Sequence, residues 1–248
     1  GALSVKERVE FRENNEEKYS LKEMLQFLRY KPIWAAFAAT LIVGTGSSIA
    51  GGAGAYFYTY VLGDMKLMSG VSVIGLIASM VGIVMGPYLA NRFGKKKVYL
   101  TAVIISTALN LLRLLDVTSM ILIYISALIG GVAGGWMVPV NTSIQADNTT
   151  YVQYKTGKRA EAAIASLTSF VSKVAQGLGG AIPGYVIAAY GFVTGASVQP
   201  ESINTGIILC ALILPLIFGI LGSLIFGTQY TLDQKAVIEM DAKINRNN

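Results

Sequence analysis

Histidine is absent from the 248 residues, and cysteine occurs once, at Cys210. The first absence excludes a histidine proton relay and a histidine-ligated zinc site; the second excludes an intrachain disulfide. Cys210 lies in an apolar run, where a lone thiol behaves as an inert small hydrophobe. Charge is also scarce. Asp, Glu, Lys and Arg make up 14% of the chain and apolar residues 53%, whereas soluble domains carry about 25% charged residues. This is the composition of a membrane protein. Without histidine there is no Ser/His/Asp or Cys/His set. Gly157-Lys158 lacks the earlier glycine and the following Ser/Thr of a phosphate loop, and Gly177-Leu178-Gly179-Gly180 follows no strand. An enzyme is not expected, nor is a cofactor or a metal site.

Six stretches are long and apolar enough to read as membrane-crossing helices, near 33–60, 70–91, 98–115, 120–143, 162–189 and 204–227. A helix satisfies its own backbone polar groups, so each span is predicted helical. Pro32 suits the first turn of the first span. Ser20-Leu21-Lys22-Glu23 has the form of a capping box and predicts a short amphipathic helix ahead of it, and Thr231-Leu232-Asp233-Gln234 repeats the signal at the start of the tail. The chain starts at Gly1 with charged, polar sequence, which predicts a piece of a longer protein.

The basic residues give an orientation. Lys6, Arg8, Arg12, Lys18, Lys22, Arg29 and Lys31 precede the first span. Arg92, Lys95, Lys96 and Lys97 follow the second, Lys155, Lys158 and Arg159 follow the fourth, and Lys235, Lys243 and Arg246 lie in the tail: 17 of the 20 in the chain. Only Lys66 and Arg113 fall towards the other side. The excess marks the cytoplasmic side and puts both termini there. The net charge of +6 thus reflects topology, and no nucleic-acid partner is needed. The sequons at Asn141 and Asn148 fall in a span and on the cytoplasmic side, which rules against glycosylation. Arg113 and Asp116 read as an ion pair at the outer interface, and Tyr56, Tyr58 and Tyr60 as an aromatic belt or as substrate contacts.

The remaining lysine is the informative one. Lys173 lies near the middle of the apolar stretch Ala160 to Tyr190, and no acidic residue occurs at comparable depth. A cation there costs about 2.5–3.5 kcal/mol on insertion scales, so it needs a partner outside these spans. Ser166, Ser169, Lys173 and Gln176 recur at helical spacing with Gly177 and Gly180 beside them, a polar stripe that should face protein or water. The alternative is a stripe that glues helices together while Lys173 makes a structural ion pair. Gly130/Gly134, Gly131/Gly135 and Gly180/Gly184 read as close-packing surfaces between helices, and the glycines from Gly44 to Gly54 either pack or permit bending. Asn141 and Gln145 share a face.

Two motifs carry a family resemblance. Asn91-Arg92-Phe93-Gly94-Lys95-Lys96 resembles the basic loop motif of the major facilitator superfamily, with Asn91 where Asp is usual. Asp147, Tyr151 and Lys155-Thr156-Gly157-Lys158-Arg159-Ala160-Glu161, with Lys173 twelve residues on, resemble the loop and eleventh helix of the glycoside–pentoside–hexuronide:cation symporters, the melibiose-permease-like group; Thr150, Val152 and Gln153 depart from that pattern. The resemblance covers nearly the whole chain. It implies an all-α membrane protein, the C-terminal half of a major facilitator fold, with two inverted three-helix repeats. Residues 1–31 would be the central cytoplasmic loop, 32–228 the six-helix transmembrane domain and 229–248 a cytoplasmic tail.

It also implies secondary active transport of a sugar or glycoside, coupled to Na+ or H+ by alternating access. Spans one, two, four and five would line the cavity, and three and six would face lipid. Substrate would meet Lys173, Ser169, Thr168 and Ser172, and the polar stripe adds Gln176. Trp136 would either stack on the sugar or take an ordinary packing or lipid-facing place, since the family's aromatic corresponds to Val138. Asp147, Tyr151, Lys155, Arg159, Glu161 and Arg92 would form the cytoplasmic gate. The coupling-cation ligands belong to the missing N-terminal six-helix half, which is the expected partner, together with the lipid bilayer of the cell membrane. Two alternatives stay open: another solute, such as a lipid or drug, on the same fold, or a non-transporting membrane scaffold or sensor.

Overall fold

A computed structural model describes residues 21–158, 160–196 and 198–247, and among them there is no strand. A short helix α1 (Leu21–Gln26) and a 3-10 turn lead into α2 (Lys31–Tyr56), which loosens at its end into a π turn over Phe57–Val61. Then come α3 (Lys66–Phe93), α4 (Lys95–Arg113), α5 (Met120–Thr156) and α6 (Glu161–Ala189). α7 (Ser202–Ile208) and α8 (Leu214–Gln229) form one span through a second π turn, Leu209–Ile213, and α9 (Gln234–Asn247) follows.

Local chemistry sets these boundaries. Pro32 occupies the first turn of α2. Gly94 separates α3 from α4 at φ +87°, and Gly157 stops α5 in the left-handed conformation at φ +71°, backbone angles that a side chain disfavours. At α9 the cap differs from the sequence expectation. The Asp233 carboxylate, rather than the Thr231 hydroxyl, accepts a hydrogen bond from the first helical N–H, that of Gln234, at 2.7 Å. Ser20, the expected cap of α1, lies outside the described residues.

Lys31–Val61, Lys66–Phe93, Met120–Thr156 and Ser202–Gln229 have the length and apolarity to cross a membrane. The third and fifth expected spans coincide with α4 and α6 and are less apolar: α4 opens on three lysines, and α6 carries Glu161 and Lys173. One boundary is corrected. The fourth span was expected to give way to a loop after residue 143, but α5 remains helical to Thr156. Its polar extension is held by packing, with Val152 fully buried and Tyr151 edge-on to Tyr30, ring centroids 5.7 Å apart.

The six long helices form one all-α bundle. α2, α3 and α4 make up one triplet, and α5, α6 and the α7–α8 span the other. Helices within a triplet barely touch; the main packing is α3 on α5, α2 on α6, α2 on α8, α4 on α5 and α4 on α8. Exchanging α2 with α5, α3 with α6 and α4 with α8 leaves that pattern unchanged. Equivalent helices run in opposite directions, so the two triplets are inverted repeats. α4 meets its own equivalent, α8, and the pseudo-twofold axis passes there and between α2 and α5.

Glycine makes the tightest crossing possible. A Cβ at Gly82 of α3 would strike the Val132 carbonyl of α5, and one at Gly135 of α5 would strike the Ser79 carbonyl of α3. A Cβ at Gly131 would lie 2.7 Å from the Gly75 carbonyl oxygen. Among the described residues the packing reading therefore holds for Gly131 and Gly135 but not for the other expected positions. Gly134, Gly180 and Gly184 face open space, and Gly130 has only ordinary contact.

Candidate functional site

α6 has two sharply different faces. Ala163, Ile164, Leu167, Ala175, Gly179, Pro183 and Ile187 are buried, mainly against α2. Ser166, Ser169, Lys173, Gln176, Gly177 and Gly180 are exposed on the other side. The 3.6-residue period puts these six positions on one strip, with Lys173 about 18 Å from the start of the helix and about 24 Å from its end. Among the described residues Lys173 has no hydrogen-bond or ion-pair partner. Ser172 and Thr168 border the strip and are half-buried, and the Thr168 hydroxyl donates to the Ile164 carbonyl at 2.8 Å within its own helix. The sequence singled out this strip, and the structure keeps it together.

Trp136 does not join it. Its side chain is half-buried and packs on a core of Ala39, Val140 and Phe226, while Val138 is exposed. The backbone there is pressed against α3 at Gly82 and Gly86, which turns the indole into the bundle. Among the described residues the Trp136 Nε1–H is buried with no partner.

A second polar cluster lies at the lysine-rich end. Lys95 Nζ is 2.6 Å from Asp147 Oδ1, and the neighbouring Lys96 donates to the Tyr230 carbonyl at 2.7 Å. These contacts tie the α3–α4 turn to α5 and to the start of the tail around a cavity of about 230 Å³. Burial, and then the nearby Asp147 charge, push the Tyr230 phenol above its ordinary range, so it stays protonated, and among the described residues its buried hydroxyl has no partner. Lys95 and Tyr230 were not among the expected gate residues. Lys95 was visible as part of the basic loop motif; Tyr230 carried no signal.

The other expected gate residues do not converge on Asp147. Arg92 donates back to the Tyr88 hydroxyl at 3.0 Å and lies over Phe93. Lys155 lies over the rings of Tyr151 and Tyr154, 5.8 and 5.9 Å from their centroids. Glu161 is exposed in the first turn of α6, where a carboxylate suits the helix dipole. Arg159 lies outside the described residues. At the opposite end the expected Arg113–Asp116 pair does not form. Asp116 instead accepts from the Thr118 N–H and hydroxyl, closing the turn, and Arg113 lies over the Phe57 ring, 5.0 Å from its centroid.

The profile of the MFS/sugar transport protein family matches residues 2–234. The chain is 30% identical over 244 residues to the uncharacterized symporter YjmB of Bacillus subtilis, covering 96% of this chain and 52% of that protein. It is 29% identical to the glucuronide carrier protein homolog of Escherichia coli, covering 90% of this chain and 50% of the relative, and 24% identical to a putative sulfoquinovose importer of the same organism, covering 91% and 48%. The chain therefore spans about half the length of the curated relatives it matches.

Proposed function

This chain belongs to the MFS/sugar transport protein family, and from that premise we propose that it is the C-terminal half of a secondary transporter moving a sugar or glycoside by alternating access. The relatives' names support a glycoside-like solute and, in one case, symport. The strip on α6 is the proposed substrate surface. Lys173 and Gln176 supply donors to sugar oxygens, Ser169 and Ser166 exchange hydrogen bonds with hydroxyls, and Gly177 and Gly180 let the ring approach the backbone. Thr168 and Ser172 support the edge of the strip. Trp136 has no place in this surface, because it is packed inside the bundle.

One observation carries the reading: Lys173 stands unpartnered at mid-helix on an exposed polar face. A cation at that depth is costly unless it lines a water-filled cavity or meets a partner, and a counter-charge is the strongest partner it can have. We place the counter-charge in acidic residues of an N-terminal six-helix half, which would also bind the coupling Na+ or H+. Cation entry there changes the field felt at Lys173 and so links ion and sugar binding. The lysine-rich end faces the cytoplasm in this reading, and the Lys95–Asp147 cluster serves as the hinge-side clamp of the cytoplasmic gate.

The test is cation-dependent sugar uptake by the complete transporter, normalised to membrane-inserted protein. Lys173→Ala should abolish coupled uptake without reducing insertion, and Lys173→Arg should restore it in part, because the charge returns on a broader planar group. Normal coupled uptake in Lys173→Ala would refute the reading.

A further inference from the structure

α4 and α8 leave a groove of about 470 Å³ between them, walled by Ile104 and Leu111 of α4 and by Ile220 and Leu224 of α8, with the small residues Ala108 and Ser223 between. No residue of another helix lines it, so it opens outward from the bundle. The four wall residues keep 45–59% of their surface exposed. The hydroxyls in the lining are withdrawn: Thr107 Oγ1 donates to the Val103 carbonyl of its own helix at 2.8 Å, and Ser223 Oγ is buried. What the groove presents is hydrocarbon.

The same face of α4 leads to a cation. Lys97, Thr101, Ile104, Ala108 and Leu111 follow one another by three or four residues, the spacing of one helix face, and all five are exposed. Among the described residues the Lys97 side chain has no hydrogen-bond or ion-pair partner. Asp147 and Asp233, the acids of the cavity beside it, are taken by Lys95 and by the Gln234 N–H. α8 carries no charged residue to repel an anion. The rise from Lys97 to Leu111 is about 21 Å, which matches one leaflet with its headgroups, about half of a 40–45 Å bilayer.

We propose that this face is a binding site for one anionic phospholipid, with an acyl chain in the α4–α8 groove and the headgroup phosphate on the Lys97 ammonium. Burial of chain methylenes against the wall supplies the grip, and the lysine supplies the preference for an anionic head. A second copy of the chain fits the face less well. A two-fold axis along the membrane normal would bring each Lys97 level with its copy, like charge beside like. The inference goes beyond the transport reading and does not depend on which solute is carried.

The test is native mass spectrometry of the purified, delipidated complete transporter, titrated with dioleoyl phosphatidylglycerol or with dioleoyl phosphatidylcholine, which share their chains and differ in net charge. The wild type should bind one phosphatidylglycerol roughly fivefold more tightly than phosphatidylcholine, the scale of one lysine at an anionic surface. Lys97→Gln should remove that preference and keep the weaker binding of both lipids. Ala108→Trp, which fills the groove, should weaken both, and Leu221→Trp, on an exposed part of α8 outside the groove, should weaken neither. Equal binding of the two lipids by the wild type, or a preference that survives Lys97→Gln, would overturn the proposal. So would a wild-type dimer that Ala108→Trp converts to monomer, because the face would then belong to a second copy. The comparison of lipids on wild type needs no variant, and Lys97 is exposed, so misfolding cannot produce the expected pattern.

Discussion

At the scale of single residues, burial decides what a charge does. Asp147 keeps 9% of its side-chain surface and Lys95 20%. Removing Lys95 leaves a largely buried carboxylate without its cation, and breaking such a pair costs about 3 kcal/mol, the lower end of the range for buried pairs because Lys95 is partly wet. Lys95→Ala should therefore destabilise the detergent-solubilised protein more than the double change Lys95→Ala/Asp147→Asn, which removes the stranded charge as well. Thermal unfolding of the two variants beside wild type measures this, and equal losses would show that the pair carries no coupling. Lys173 was legible in the sequence because one cation in an apolar stretch stands out unaided. The Lys95–Asp147 pair was half legible: both residues sat in recognisable motifs, but the partners are 52 positions apart, and spacing says nothing about which basic residue of a cluster turns inward. Arg92 had the better claim on paper and points along its own helix instead.

At the scale of elements, apolar runs located all six spans, and the polar residues from Asn141 onward hid the length of α5. Hydropathy finds where a helix leaves lipid, whereas backbone hydrogen bonds and packing set where it ends. Glycine patterns misled in a similar way, because a Gly-xxx-Gly pair has the same spacing whether it meets another helix or open space. The structure separates the two cases and makes each testable. Gly135→Ala drives a methyl group into the Ser79 backbone, and overpacking of this kind costs about 1–3 kcal/mol. Gly184→Ala adds its methyl group where nothing lies within 4 Å, so folding should be unchanged. Fluorescence-detected size-exclusion thermostability of the pair checks the contrast, and equal losses would contradict the crossing described for α3 and α5. The tail is a further structural element. Leu232 is buried in the core formed with Tyr99, Phe226 and Tyr230, and Leu232→Ala should cost about 2–5 kcal/mol, seen as a lower unfolding midpoint.

At the scale of the molecule, basic residues predict sidedness and packing predicts symmetry. With single cysteines introduced at positions 157 and 193 of the complete transporter, an impermeant maleimide applied to intact cells should label only position 193. Cys210 is fully buried, so the natural thiol contributes little background. Labelling of position 157 from outside would reverse the proposed orientation. The exchange of partners between triplets has a further effect, on the order of assembly. A ribosome releases α2, α3 and α4 before any of the helices they pack against, apart from one another, has been made. Until α5 emerges, the glycine surface of α3 at Gly82 and Gly86 lacks the helix it closes on. Within these residues no early hairpin seeds the bundle: each of the first three spans finds its main partner in a later one, so their packing closes only after the second triplet is made, and that interval leaves the glycine face of α3 open to membrane chaperones and proteases.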